Sequence, residues 1–166
     1  MSRILAIDHG TVRIGLALSD VLQCVANPLK TLPSTPQAAA AIAEIARQKS
    51  VERVIVGLPL HLNGSHGEAA LRVQAWVETL RPLLPPSVDV ELVDERLSSV
   101  EAEAALKRSG VTDARARREV VDQLAAVVIL QEYLNHQRGA QGLLLPEGAD
   151  AFPEEPSHEP RGRRRR

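Results

Sequence analysis

Short runs of apolar residues follow one another near the start of the chain, and their spacing predicts strands. Residues 3–8 are apolar at nearly every position, which is typical of a central strand covered on both faces. Residues 13–19 predict a second strand after a short turn, and Gly15 within it indicates a close approach of another backbone. A weaker third strand is predicted over 22–32, before Pro33.

Helical and strand patterns alternate along the rest of the chain. A helix is predicted to begin at Ser34 or Thr35 and to turn Ile42, Ile45 and Ala46 toward the core. The later elements are a covered strand over 52–58, a helix over 68–81, a half-exposed strand over 88–94, a helix from Ser98 to Gly110 and a last helix over 119–136.

The order β-β-β-α-β-α-β-α-α predicts an α/β fold with one mixed five-stranded sheet. Three consecutive strands form a meander, and two parallel strands return through right-handed crossovers, which leaves helices on both faces. We expect residues 1–138 to form this domain. Residues 139–166, acidic and then rich in arginine, are expected to be a disordered tail.

Composition limits the class of protein. The chain has 166 residues, 44% of them hydrophobic and 25% charged, as in ordinary globular domains. It has a single cysteine, Cys24, and no run that approaches the ~20 apolar residues of a membrane span. A cytoplasmic protein without a membrane partner is expected, and the oligomeric state, monomer or homodimer, stays open.

Charge and aromatic content restrict how the chain could bind nucleic acid. Five of the 20 basic residues lie in 161–166 and five of the 21 acidic residues lie in 146–160, so residues 1–145 are nearly neutral. The aromatic residues are Trp76, Tyr133 and Phe152. Because they are too few to build a platform for stacked bases, any nucleic acid would have to be held by its backbone.

Acidic residues occur where the predicted sheet would gather them. Asp8 ends the first strand, Asp94 and Glu95 end the last strand, and Asp122 lies at the start of the final helix. Ligands gather at the carboxyl ends of parallel strands, and converging carboxylates need cations to offset their repulsion. Oxygen ligands favour Mg²⁺ or Mn²⁺, and two such ions ~4 Å apart serve phosphodiester hydrolysis.

Each of these carboxylates also has a structural interpretation. Asp8 could bond its own turn, Asp122 could favour the helix dipole, and Asp94 and Glu95 could form a solvated strand end. Asp122 interrupts an apolar stretch, where a lone charge would be costly, and this favours a functional role. The residues alone do not decide between Asp94 and Glu95.

Four segments together resemble the motif blocks of the YqgF/RuvX family, in order and over residues 3 to about 138. The segments are AIDHGTVRIGLALSD, VIVGLPLHLNGSHG, VDERLSSVEAEAAL and VDQLAAVVILQEYL. The resemblance implies an RNase H-like fold, kinship with Holliday-junction resolvases and a nuclease activity on pre-16S rRNA in ribosome biogenesis. It places the catalytic, metal-binding carboxylates on Asp8, Glu95 and Asp122, with two Mg²⁺ or Mn²⁺ ions, and so prefers Glu95 to Asp94.

Neighbouring residues are candidates for contact with the substrate. Thr11 could offer its hydroxyl to a phosphate or metal, and Gly10 could let either approach the backbone. His61 and Asn63 lie in the loop after the GLP segment, where a plain polar surface loop is the alternative. Arg96 could hold a phosphate or pair with Asp94.

Basic residues cluster before the last helix. Arg115, Arg117 and Arg118 could form a solvated helical surface, but beside a nuclease site they favour binding of a nucleic-acid backbone. Precursor rRNA is the partner that the resemblance implies.

Three other functions compete with an RNA nuclease. A branched-DNA resolvase would use the same carboxylates, and a non-catalytic ribosome-assembly factor would be expected to lack one of them. The first block also resembles the phosphate loop of actin-like sugar kinases, which need a second domain that 166 residues do not supply. The sequence therefore favours the nuclease.

Overall fold

The computed structural model describes residues 2–60, 64–95, 108, 110 and 113–142, with only the backbone for 117–119, 141 and 142. Its strands are β1 (Arg3–His9), β2 (Arg13–Ser19), β3 (Ala26–Pro33), β4 (Val51–Leu58) and β5 (Asp89–Asp94). Its helices are α1 (Ala38–Gln48), α2 (Glu68–Leu80), a short 3₁₀ helix (Arg81–Leu83) and α3 (Ala114–Gly142).

The strands form one five-stranded sheet in the order β3-β2-β1-β4-β5. The first three strands pair antiparallel as a meander. After the helical crossovers, β4 pairs parallel with β1, and β5 pairs parallel with β4. The predicted mixed sheet is confirmed.

Alternating side chains divide the core between the two faces of the sheet. Leu5 and Ile7 of β1 belong to the larger cluster, which α1 and α2 cover. Ile4 and Ala6 belong to a smaller cluster on the other face, which is covered by α3. The period of two along β1 therefore places every second residue beneath α3.

Two element boundaries in the first half of the chain differ from the predictions. β3 begins at Ala26, because 20–25 form a turn in which the Asp20 carboxylate accepts the backbone N–H groups of Cys24 and Val25. Neither Ser34 nor Thr35 caps α1; Gln37 occupies the cap position without a side-chain hydrogen bond.

The last helix is longer than predicted. α3 runs from Ala114 to Gly142, so residues 139–142, expected in the tail, continue the helix. Ala140 and Gln141 are good helix formers, and they outweigh the local cost of Gly139. The helix predicted over 98–110 and the tail from 143 onward lie outside the described residues, apart from positions 108 and 110. Within the described part of the chain, no helix combines the length and apolar content needed to cross a bilayer.

Candidate active site

Asp8 lies near the carboxyl end of β1, with a glycine on each neighbouring strand. Gly15 of β2 is its antiparallel partner, and Gly57 of β4 flanks it on the other side. By alternation Asp8 shares the α3 face with Ile4 and Ala6. Because neither glycine has a side chain, the sheet leaves room for other groups on both sides of this carboxylate.

Glu95 occupies the space above Gly57. A Cβ atom at position 57 would collide with Oε2 of Glu95 and would come within 2.8 Å of Cδ1 of Ile129. The backbone N–H of Glu95 donates to the carbonyl oxygen of Leu58 at 3.3 Å, which ties the end of β5 to the end of β4. The half-buried Glu95 side chain hydrogen bonds with Asp8, whereas Asp94 is exposed. The structure thus sets Glu95, not Asp94, against Asp8.

Asp122 approaches from the opposite side, above Gly15. A Cβ atom at position 15 would overlap the backbone carbonyl of Asp122 and lie 3.2 Å from its Cβ. Only glycine lets α3 pack this closely on β2, so the close approach predicted from Gly15 is confirmed. The matching signal at Gly57, a glycine within a covered strand, was missed in the sequence.

Arg13 binds Asp122, and sequence reasoning did not anticipate it. Its Nε donates to Oδ2 of Asp122 at 2.7 Å, and about a quarter of each side chain is exposed. Arg13 lies two residues before Gly15, so both face α3. That spacing was the available signal.

Burial and mutual repulsion change the acidity of the two central carboxyls. Burial raises the pKa of Asp8 to about 6, with a further rise from the charge of Asp122, although the hydrogen bond from Glu95 opposes it. Burial, followed by the charge of Asp8, raises the pKa of Glu95 to about 8. At neutral pH, Asp8 and Glu95 therefore share a proton.

The three carboxylates do not form a single cluster. Among the described residues, no three His, Cys, Asp or Glu side chains meet closely enough to hold a metal ion together. Asp8 and Glu95 bond to each other, while Asp122 acts on Asp8 through its charge and bonds Arg13. The charge of Arg13 offsets that of Asp122 and so reduces the repulsion among the three carboxylates.

Two further candidates, Gly10 and Thr11, lie in the turn between β1 and β2. Thr11 is exposed in the β1–β2 turn. The space beside Gly10 is filled by its own turn, since its N–H donates to the carbonyl of Arg13 and a Cβ atom would lie 2.5 Å from that oxygen. The glycine at position 10 is thus explained by its own turn, and an approach of a ligand to its backbone stays a prediction.

The basic residues and the loop are described only in part. Arg115 is exposed at the start of α3, and the backbones of Arg117 and Arg118 continue that helix while their side chains are outside the described atoms. His61, Asn63 and Arg96 lie outside the described residues. Their contact with substrate stays a prediction.

A family model and individual relatives in sequence comparisons indicate the same family. A family model described as "RuvX: Holliday junction resolvase" matches residues 2–136. A protein of Chloroflexus aggregans is 45% identical over 137 residues, which cover 81% of this chain and 94% of the relative. A protein of Bacteroides fragilis is 40% identical over 139 residues, which cover 83% and 99%. Both relatives carry the name "Putative pre-16S rRNA nuclease".

Solved structures share the fold. RuvC of T. thermophilus in complex with a Holliday junction substrate aligns with a TM-score of 0.50 and 20% identity, over 84% of this chain and 97% of that one. The Fowlpox virus resolvase bound to Holliday junction DNA aligns with a TM-score of 0.54 and 12% identity, over 81% and 98%. The sequence matches, on a chain with an RNase H-like sheet, show that it belongs to the RuvX family of nucleases.

Proposed function

We propose that this chain hydrolyses phosphodiester bonds of structured RNA with divalent metal ions, in maturation of the 5′ end of pre-16S rRNA. The observation that carries the proposal is the pair formed by Asp8 and Glu95. Burying two carboxyls against each other costs stability, and groups with pKa values perturbed in this way cluster at functional sites. The rRNA substrate is supported by the names of the relatives.

The donor set fits Mg²⁺ or Mn²⁺. Asp8 and Glu95 present carboxylate oxygens, which are the ligands that these ions prefer. A bound cation would replace the proton that the two side chains share. Asp122 would complete the set by exchanging or sharing its bond to Arg13. Two such ions, when bound, activate a water molecule and stabilise the leaving oxygen.

The protein's own groups prepare the site for a phosphate. Gly57 and Gly15 allow Glu95 and the backbone of Asp122 to lie on either side of Asp8. Arg13 holds the orientation of the Asp122 carboxylate through the bond to its Nε. Rigid carboxylates in a half-buried site lose little freedom when the substrate binds, which favours catalysis.

Cleavage of labelled substrates tests the proposal. A precursor of 16S rRNA, a four-way DNA junction and a linear duplex of matched length are incubated with the purified chain in Mn²⁺ or in chelator. We expect Mn²⁺-dependent cleavage of the RNA near the mature 5′ end, and none by the Asp8→Asn variant.

The other outcomes separate the alternatives. Preferential cutting of the four-way junction would make the chain a branched-DNA resolvase. Tight RNA binding with no cleavage in Mn²⁺ would make it a non-catalytic assembly factor. Cleavage that persists in the Asp8→Asn variant would contradict the assigned site.

A further inference from the structure

A groove lies beside the carboxylates, between the β2–β3 side of the sheet and the amino-terminal part of α3. Its volume is about 530 Å³, which is in the range of ligand-binding sites. Val12, Arg13, Thr31, Arg115 and Gln123 contribute to its lining. We call it the β2–β3 groove.

The groove lies close to the active site across the sheet. Thr31 of β3 pairs with Gly15 of β2, which pairs with Asp8 of β1, so the three residues form one row across the sheet. Neighbouring strands are ~4.8 Å apart, which puts the Thr31 backbone roughly 10 Å from that of Asp8. The backbone of Asp122 covers Gly15 in the middle of this row, so a strand bound in the groove would reach the carboxylates past the Arg13–Asp122 pair rather than across Gly15.

The charges of the groove select an anion. Arg13 and Arg115 line it, and no carboxylate is among its described lining residues. The bond from Arg13 to Asp122 uses Nε, and a guanidinium carries four further N–H donors. Asp113 is nearby, and its carboxylate accepts the backbone N–H of Arg115 at 3.0 Å. Arg115 itself is exposed.

The remaining lining suits a sugar-phosphate chain. The amide of Gln123 donates to the hydroxyl of Thr31 at 3.2 Å, which fixes two polar side chains in the floor. Val12, with 67% of its surface exposed, gives the mouth an apolar wall. Neither Trp76 nor Tyr133 is among the described lining residues, so neither offers a surface for base stacking there.

We propose that the β2–β3 groove binds the phosphodiester backbone of the substrate strand next to the bond that is cleaved, with Arg13 and Arg115 on its phosphates. This inference rests on the proposed function, because it takes the carboxylates as the cleavage site. It makes Arg13 a shared residue, which positions Asp122 and also contacts the substrate strand.

Protection from alkylation locates the bound strand. Val12→Cys is introduced into the full chain with Cys24→Ser, and maleimide labelling is followed in chelator with and without a hairpin RNA that carries a single-stranded extension. Leu71→Cys in the same background is the control, since Leu71 is an apolar residue of α2 with a similar exposure of 57%. We expect the oligonucleotide to slow labelling at position 12 severalfold and to leave labelling at position 71 unchanged.

Salt dependence measures the phosphate contacts. For Arg115→Gln, we expect about fivefold weaker binding and a slope of log K against log salt smaller by ~0.7, the value for one phosphate of a single strand. Arg81→Gln is the matched control, because Arg81 is an exposed arginine paired with Glu78 at 3.1 Å and remote from the groove. It should change neither quantity.

Parallel DNA oligonucleotides separate the sources of the phosphodiester backbone. Protection by RNA and DNA alike supports recognition of phosphates, and protection by RNA alone adds recognition of the 2′-hydroxyl. If RNA is bound and cleaved but position 12 stays fully reactive and Arg115→Gln has no effect, the groove proposal is overturned and the nuclease stands. If position 12 is protected but no RNA or DNA is cut in Mn²⁺, the groove stands and the proposed function fails.

Discussion

Two acidic sites lie side by side beneath α3, and they balance their negative charge in different ways. The carboxylate pair of Asp8 and Glu95 is neutralised in part by a shared proton. Asp122 is neutralised by Arg13 at 2.7 Å. The first arrangement depends on pH and has an energetic cost, while the second is an ordinary ion pair.

The difference shows which site is prepared for a ligand. An ion pair satisfies both partners and needs nothing further, and when partly exposed it contributes little to stability. A buried carboxyl pair keeps a strained charge that a cation relieves. Under the proposed function, the comparison favours Asp8 and Glu95 as the centre of the site, and Asp122 would have to share or release its bond to Arg13 before it could bind a metal ion.

The largest expected effect separates Glu95 from its neighbour in sequence. Glu95→Gln should reduce cleavage of RNA to the background level, because it removes one of the two carboxyl groups that would hold the metal ions. Asp94→Asn is the matched control, since Asp94 is exposed and lies one residue earlier at the end of β5. Initial rates in Mn²⁺ measure both. Loss of activity in Asp94→Asn together with a functional Glu95→Gln would reverse the assignment.

The two glycines that frame Asp8 should differ in their effect on stability. Gly15→Ala pushes against the backbone of Asp122, which can move only with α3, so we expect a loss of about 2–3 kcal/mol. Gly57→Ala meets the end of the Glu95 side chain, which can rotate, and we expect a loss of only about 1 kcal/mol with a large loss of cleavage. Denaturant unfolding and cleavage rates distinguish the two.

Gly139→Ala serves as the control for both. No atom lies within 4 Å of a Cβ built at that helical position, so the substitution should stabilise the chain by about 0.5–1 kcal/mol. If Gly15→Ala and Gly57→Ala destabilised the chain equally, the backbone contact at Gly15 would be no more rigid than the side-chain contact at Gly57.

Neutralising either acidic site should change stability with opposite signs. In chelator, Asp8→Asn should raise the Tm by a few degrees, because it removes the buried negative charge of the pair and its repulsion with Asp122. Asp122→Asn should lower it, because Arg13 loses its ionic partner. Melting curves in chelator give the comparison.

Added Mn²⁺ extends the same measurement. Binding to the folded state should stabilise the wild type by ~2.7 kcal/mol at a hundredfold excess over Kd, and Asp8→Asn by less. An Asp8→Asn variant that melts lower than the wild type and gains as much from Mn²⁺ would mean that Asp8 is a structural turn residue.

The sequence predicted the sheet well because its strands are specified by local alternation and length. It also marked Asp8 and Asp122 as candidates, since acidic residues at those positions break an apolar pattern, whereas the choice of Glu95 over Asp94 came from the family resemblance. It could not predict the bond between Arg13 and Asp122, because 109 positions separate them and only the packing of α3 on Gly15 brings them together. The end of α3 was also misjudged, because glycine-rich polar segments give no periodic signal for a helix that continues past the core.

The remaining expected effect is the pH dependence of stability without metal, in which the carboxylate pair has the most strongly raised pKa values and the lowered pKa of the half-buried His9 acts in the opposite direction. The pKa of Asp8 is raised from 3.8 to about 6 and that of Glu95 from 4.5 to about 8, so the folded chain binds protons that the unfolded chain has already released. Their contribution to stability is therefore fully present below about pH 4 and is lost as the pH rises toward 8. In chelator, the wild type should melt several degrees higher at pH 5.5 than at pH 8.5. Glu95→Gln removes the group with the larger shift and should flatten this dependence, while Asp122→Asn should keep most of it, since Asp122 is balanced by Arg13 rather than by a proton. If Glu95→Gln and the wild type lose the same number of degrees between the two pH values, Asp8 and Glu95 do not share a proton, and the contrast between the two acidic sites disappears.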